Sequence, residues 1–319
     1  MTVTEKPVVV FGGGGFVGRQ VAQELLARGY RVRIAQRAPR QAFMVRSLGA
    51  TGQTQLVAAD ITKPDEVAAA MAGAGAAINL VGLLRGDMHS AHVIGAQNVA
   101  RAAAAAGLDA LVHVSAIGAD SESSSAYGKT KGEGEAAVRA ACPGATIIRP
   151  SIIFGRDDQF TNRFAQLIAT GASMPFHLVP LIRGGTRFQP IHVADVARAI
   201  GAAIADPEKF GGETYEIGGP DVLTLGEINK WIAGQIGREC HFLPLPDGFA
   251  KALATLTGWA PGAPITRDQY EMLLRDNVVS PGTKGIESFG VRPVPMAALA
   301  PGWLVQYRKH GRFGSTVSA

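Results

Sequence analysis

The sequence predicts an α/β fold built on a doubly wound parallel sheet with a small discontinuous second domain, and three observations carry that prediction. Short, wholly apolar runs recur with helix-forming stretches between them, a glycine-rich turn follows the first run, and the pattern changes after Arg149-Pro150. A parallel strand is buried on both faces, so it reads as a continuous apolar run rather than as an alternation.

The first run, Val8–Phe11, feeds Gly12-Gly13-Gly14-Gly15-Phe16-Val17-Gly18 and then a stretch in which Val17, Val21 and Leu25 share a helical face. Val32–Ala35, Leu56–Ala59, Ala76–Val81, Leu111–Val114 and Thr146–Ile148 repeat the apolar signature, with helices expected between them, notably over Val93–Ala106 and Ala126–Ala141. Six strands alternating with helices give the doubly wound sheet. Past Arg149-Pro150 the alternation becomes irregular, and Met174–Gly185 reads as loops over a cavity. Thr214–Ile217, closed by Gly218-Gly219-Pro220, reads as a return to the sheet before a helix over Leu223–Ile236. The expected division is a first domain of residues 1–154, completed by 186–220, and a second of residues 155–185 and 221–319.

With 319 residues, 47% of them apolar, and only two cysteines, the chain can bury a large core and is no small disulfide-stapled fold. Its longest apolar stretches, such as Ala76–Leu84, stop well short of the roughly 18–20 residues that span a bilayer. A net charge of +5 and a pI near 9.4 fit an anionic ligand, an acidic partner or an anionic membrane surface. Nucleic acid is not expected, since no basic helix or aromatic-basic interleaving is present. The start, Met-Thr-Val-Thr-Glu-Lys-Pro, carries neither an Arg-rich presequence nor a secretory apolar core. The expectation is therefore a reducing, cytoplasmic interior, with Cys142 and Cys240 as thiols.

Gly12, Gly15 and Gly18 have the spacing of a turn that leaves a strand tightly, brings backbone amides against a pyrophosphate and packs the next helix on the sheet. The amides of Phe16 and Val17 open that helix. Its context, after a strand and before a helix, points to a dinucleotide. At the end of the second strand, where a carboxylate would hold a ribose 2′-hydroxyl, stand Gln36-Arg37, with Arg40 three residues on. Two guanidiniums without a carboxylate favour a 2′-phosphate, hence NADPH over NAD; the alternative is two solvated arginines. Asp60-Ile61, past the third strand, is placed to meet the adenine edge or, for the aspartate, to cap a helix. Tyr127 and Lys131 lie four apart on one helical face, where the ammonium could lower the phenol's pKa and reach a ribose hydroxyl. Ser115 ends the fifth strand and either contacts a substrate carbonyl or serves as a turn residue. His89, His92, His113 and His192 lack metal-ligand spacing, so no metal is expected. Arg156-Asp157-Asp158 reads as a charged loop.

Taken in order, Gly12-x-x-Gly15-x-x-Gly18, Asp60, Asn79-Leu80-Val81-Gly82, Ser115, Tyr127-x-x-x-Lys131 and Arg149-Pro150-Ser151 resemble the extended and atypical short-chain dehydrogenase/reductases across residues 8–220. That resemblance implies a Rossmann-type sheet, bound NAD(P) in contact with Val81, Gly82 and Pro150 as well, and, in active members, a Ser115-Tyr127-Lys131 site. A narrower likeness spans nearly the whole chain. Arg149-Pro-Ser-Ile-Ile-Phe-Gly-Arg-Asp-Asp-Gln-Phe-Thr-Asn-Arg-Phe164, Phe188-Gln-Pro-Ile-His-Val-Ala-Asp195, Ile265-Thr-Arg-Asp268 and Phe289-Gly-Val-Arg-Pro-Val-Pro-Met296 resemble the accessory subunit of respiratory complex I built on this fold. In that family the nucleotide, usually NADPH, is held structurally beside the quinone-binding region with no established turnover, so the resemblance implies that the trio could be vestigial. The start of the chain departs from the mitochondrial members, which carry a presequence, and points to a bacterial homologue on the inner face of the inner membrane. An independent NADP-dependent reductase or epimerase is the competing expectation, kept alive by the intact trio.

Membrane contact is expected through the second domain. Phe249, Leu253 and Leu256 fall at helical spacing before Trp259, and the stretch from Trp303 to Ala319 holds Tyr307, Arg308, Lys309 and Arg312 with no acid. A core helix and an ordinary terminus are the alternatives.

Overall fold

In the computed structural model, which describes residues 6–258 and 265–311, the chain forms two compact units. The elements used below are, in chain order, β1 (Val8–Phe11), α1 (Phe16–Ala27), β2 (Val32–Gln36), β3 (Thr54–Ala58), α2 (Pro64–Met71), β4 (Ala76–Asn79), α3 (Gly95–Ala105), β5 (Ala110–Val114), α4 (Ala126–Ala141) and β6 (Thr146–Pro150). They continue with α5 (Thr161–Gly171), β7 (Leu178–Ile182), α6 (Val193–Ala205), β8 (Thr214–Ile217), α7 (Leu225–Gln235), β9 (His241–Leu245) and α8 (Asp247–Thr257).

The first unit comprises residues 1–150, 193–217 and 279–292. Its seven strands lie in the order β8-β6-β5-β4-β1-β2-β3, all parallel. The order reverses direction at β1, so the crevice at the C-terminal ends of β1 and β4 is the topological switch point, the place where such sheets bind ligands. Every residue of β1 is buried, as a strand covered on both faces requires. On one face Val9, Phe11 and Leu111 meet Val67, Val99 and Val138 from α2, α3 and α4. Helices α1 and α6 pack together, and a Cβ on Gly201 would sit 3.0 Å from Nε of Arg28, the residue that follows α1.

All six strands anticipated in the first half form, and 214–217 joins the sheet against β6 as expected. One segment expected in the second domain belongs here instead. Residues 279–292 come back to β8, where Ser280 N donates to Glu216 Oε2 at 2.9 Å and Glu216 N to Lys284 O at 3.0 Å. Phe289 stacks on Phe210, with centroids 4.7 Å apart, and covers Tyr215. An edge strand left with open donors and acceptors on one side is closed in this way.

The second unit comprises residues 151–192, 218–278 and 293–319. Its core joins Phe154, Ile168, Val179, Ile228 and Ile232 to Met296 and Leu304. Thr224 and Glu227 form a reciprocal capping box that starts α7. Part of the segment expected as loops, 174–185, is a strand: β7 pairs in parallel with β9 over five residues. Pro180 and Pro244 hide that strand from propensity reasoning, and a two-stranded ribbon has room for them because each strand has a free edge. Asp158, expected in a charged loop, is buried and starts α5: its carboxylate accepts from Gly155 N, Phe160 N, Thr161 N and Thr161 Oγ1. Helix α8 forms where expected, with Phe249 and Leu256 exposed; Trp259 and Arg312 lie outside the described residues.

Candidate functional site

The site is built at the switch point of the first unit. Gly12 leaves β1 with φ +78°, a conformation that costs a side-chain-bearing residue about 1–2 kcal/mol. Gly15 N donates to Gly12 O at 3.1 Å and closes the turn. A Cβ on Gly18 would lie 2.5 Å from both Gly12 O and Gly13 Cα, so only glycine lets α1 start this close to the strand. Gly15 is the N-cap of α1 and has no side chain to satisfy the first-turn amides. Those amides, from Phe16, Val17 and Gly18, are donors at the positive end of the helix dipole. The donor set and the glycine cradle fit a pyrophosphate.

Gln36 has a part that the sequence reading missed. Its Oε1 accepts from Gly14 N at 3.0 Å while its Nε2 donates to Ala38 O at 2.7 Å, so the carboxamide ties the glycine turn to the end of β2. Arg37 and Arg40 are exposed beside it. Asp60 Oδ1 accepts from Thr62 N and Thr62 Oγ1, the Asx turn that precedes α2. These bonds, with the positive Arg37 nearby, hold the Asp60 carboxyl below the usual carboxylate range. Ile61 is buried in the core, its side chain against Gly95 of α3.

Beyond β4, Val81 N donates to Asn79 Oδ1 at 3.1 Å, and a Cβ on Gly12 would touch Val81 Cγ2 at 3.4 Å. Gly82 faces Lys131: its Cβ position is 3.5 Å from Lys131 Nζ. Lys131 is only 3% exposed, and its ammonium donates to Val114 O at 3.1 Å. Burial lowers its pKa to about 8, and the charge of Glu135, one turn on, opposes that. Behind it Arg149 grips Glu135 with two hydrogen bonds of 2.8 and 2.7 Å and reaches Glu216 at 3.3 Å. Pro150 ends β6, its carbonyl accepting from Ile117 N at 3.1 Å.

Ser115, next to Val114 in the chain, is buried, and its Oγ has no hydrogen-bond partner among the described residues. The half-buried Tyr127 phenol is pushed up to about 12 by desolvation. The expectation that Lys131 lowers this pKa is therefore corrected: the ammonium is spent on Val114 O, and burial decides the phenol.

Two histidines set aside on sequence spacing join this cluster. His92 sits in a single π-turn, Ser90–Ile94, ahead of α3. Its Nε2 accepts from Leu83 N at 2.8 Å, so Nδ1 bears the proton and donates to Thr130 Oγ1 at 2.9 Å. Thr130 Oγ1 in turn donates to Ala126 O at 2.8 Å. The His92 ring meets Tyr127 edge to face, with centroids 5.5 Å apart. Burial and the nearby Lys131 charge lower its pKa to about 3. Asn79 Nδ2 donates to His113 Nδ1 at 3.3 Å, and His113 Nε2 is buried with no partner among the described residues. Asn79 and His113 are register partners on adjacent strands, and His92 is fixed by bonds spanning nine and 38 residues. Only the π-turn, a feature frequent at functional sites, marks His92 locally. Among the described residues no three His, Cys, Asp or Glu side chains come together as a metal site would require.

Comparison with known proteins agrees with this geometry. The model of the NAD dependent epimerase/dehydratase family matches residues 8–218. "NADH dehydrogenase [ubiquinone] 1 alpha subcomplex subunit 9, mitochondrial" of Arabidopsis thaliana is 33% identical, over 97% of this chain and 80% of its own. A ceramide reductase of Caulobacter vibrioides is 31% identical over 79% of this chain and 78% of its own. Among solved structures, an Escherichia coli NADPH-dependent quinone oxidoreductase complexed with NADPH superposes with a TM-score of 0.74 at 18% identity, covering 93% of this chain and 99% of that one. At that identity the likeness is one of fold.

Proposed function

The chain belongs to the NAD dependent epimerase/dehydratase family and, within it, to the family of the alpha subcomplex subunit 9 proteins, and from that premise we propose that it is an accessory subunit of an NADH:quinone oxidoreductase, holding NADPH as a structural group. The observation that carries this reading is the span of the likeness, which runs through both units instead of stopping with the nucleotide-binding residues.

The first-turn amides of Phe16, Val17 and Gly18 would hold the pyrophosphate, Arg37 and Arg40 the 2′-phosphate, and Val81, Gly82, Tyr127 and Lys131 the nicotinamide ribose. A bound nicotinamide dinucleotide supplies a hydride donor or acceptor. The residues around it favour holding over turnover: the phenol of Tyr127 keeps its proton firmly, and Lys131 is bonded to a backbone carbonyl rather than poised to assist it. We place the subunit beside the quinone-binding region of the complex, on the cytoplasmic face of a bacterial inner membrane. Peripheral attachment is part of this reading, and no described helix is long and apolar enough to cross a membrane.

Reductase action is the second reading, favoured by the buried Ser115 Oγ, which has no partner among the described residues, and by the reductase relative. A detergent-solubilised pull-down with the tagged chain, with the retained nucleotide identified by mass, separates the two. Subunits of an NADH:quinone oxidoreductase and NADPH should co-purify. Purification without partners, with turnover of a carbonyl substrate, would replace the subunit reading by the reductase one.

A further inference from the structure

His92 and His113 have no metal-ligand spacing in the sequence, yet each is only 2% exposed. Both bond to one short segment, residues 79–83, which starts at the last residue of β4 and runs along the nucleotide site. A Cβ on Gly12 would touch Val81, and a Cβ on Gly82 would lie 3.5 Å from Lys131 Nζ and 3.9 Å from His92 Nε2.

The hydrogen bonds of that segment fix both imidazole tautomers. Of the two amide atoms of Asn79 only the oxygen can accept from Val81 N, which it does at 3.1 Å, so the amide nitrogen is the atom turned to His113 Nδ1 at 3.3 Å. His113 Nδ1 is therefore the bare acceptor, and its proton sits on Nε2. At the other end Leu83 N donates to His92 Nε2 at 2.8 Å, which leaves the His92 proton on Nδ1, facing Thr130 Oγ1 at 2.9 Å. Opposite tautomers thus offer an acceptor to the two ends of the same stretch.

An imidazolium has no acceptor, so proton uptake by either ring would break its bond to the segment. Lys131 is the positive charge beside both rings, Tyr127 meets His92 edge to face, and the Glu135 carboxylate is taken by Arg149. Burial first, and then the charge of Lys131, lowers each histidine to about 3. The glycine turn, by contrast, is closed by bonds of its own, Gly15 N to Gly12 O and Gly14 N to Gln36 Oε1.

We propose that His92 and His113 are positioning residues: as neutral acceptors of opposite tautomer they clamp residues 79–83 in the shape that meets the nicotinamide half of the nucleotide. The inference rests on the nucleotide-holding reading and assigns that half of the site two supports outside the Ser115-Tyr127-Lys131 trio. Thr130 completes the clamp, since its hydroxyl takes the His92 proton and ties the ring to α4, the helix that carries Tyr127 and Lys131.

The test compares NADPH with adenosine 2′,5′-bisphosphate, which keeps the adenine half and lacks the nicotinamide, by calorimetric titration of the full chain. His92→Leu and His113→Leu each remove the acceptor. Each should weaken NADPH about ten-fold, the scale of one lost buried hydrogen bond, and leave the bisphosphate within about two-fold. His92→Gln, whose carboxamide has both an acceptor and a donor, should recover most of the NADPH affinity. Should a leucine variant fail to fold, nitrogen NMR of the unaltered protein with labelled histidine reads the clamp directly. One ring protonated at Nδ1 and one at Nε2, neither titrating between about pH 5 and 8, are expected. Equal loss of both ligands, no loss of either, or a clamp imidazole that titrates in that range overturns the proposal. If the unaltered chain binds neither ligand, the nucleotide reading itself falls, and this inference with it.

Discussion

The glycine turn at the end of β1 and the Ser115-Tyr127-Lys131 cluster past β5 belong to one site, yet they are prepared to different degrees. The turn is finished before any ligand arrives: its donors are backbone amides, fixed by Gly12 φ, the Gly15–Gly12 bond and the Gln36 carboxamide. The trio is less tied down: Ser115 Oγ has no partner among the described residues, Lys131 donates to Val114 O, and burial raises the Tyr127 phenol. The difference lies in what sets each half: the turn fixes its backbone donors locally, whereas burial and distant partners set the side chains of the trio.

The largest effect should come from breaking the prepared half. Gly18→Ala forces a Cβ against two backbone atoms at 2.5 Å that cannot swing away. It should cost about 3 kcal/mol, the upper end for overpacking, and abolish nucleotide retention on purification. Next in size is Arg37→Ala, which should cut the preference for NADPH over NADH by about 1–3 kcal/mol in paired titrations. Equal affinity of the unaltered protein for both would count against the assignment.

The third prediction concerns Lys131. Its pKa in the folded protein, about 8, lies below the ordinary lysine value, so the free protein gains stability from this group as pH rises from about 8 toward 10.5. A ribose hydroxyl accepting from the ammonium favours the protonated form. NADPH affinity should therefore be flat below pH 8 and fall above it by up to about ten-fold per unit. Calorimetric titration across that range checks the slope, which Lys131→Met should remove. The smallest effect is expected for Tyr127→Phe: nucleotide retention and co-purification should stay nearly intact, because a hydroxyl needed only for proton transfer has no part in holding. A carbonyl substrate whose reduction drops ~100-fold or more in this variant would show that the unprepared half becomes catalytic once loaded.

Most of the sheet was legible in the sequence because parallel strands buried on both faces must be apolar throughout, as Val8–Phe11 and Leu111–Val114 are. The glycine turn was equally plain, since its function depends on what the residues lack. Less legible were contacts between residues distant in the chain. His92 and His113 look like isolated histidines until β4–β5 pairing and the π-turn bring them beside Lys131. The β7–β9 ribbon was obscured by its prolines, and the return of 279–292 to β8 leaves no periodic trace.

By itself the sequence determined the sheet, the position of the glycine turn and the residue types of the trio, because these follow from local hydrophobic pattern and steric permission. The tertiary structure alone decided the protonation of the site. Whether Lys131 helps Tyr127 or bonds to Val114 O, and which nitrogen of His92 holds its proton, are set by burial and by partners up to 38 residues away. The strength of an ionisable group depends on its dielectric surroundings and neighbouring charges, and only the folded chain supplies those.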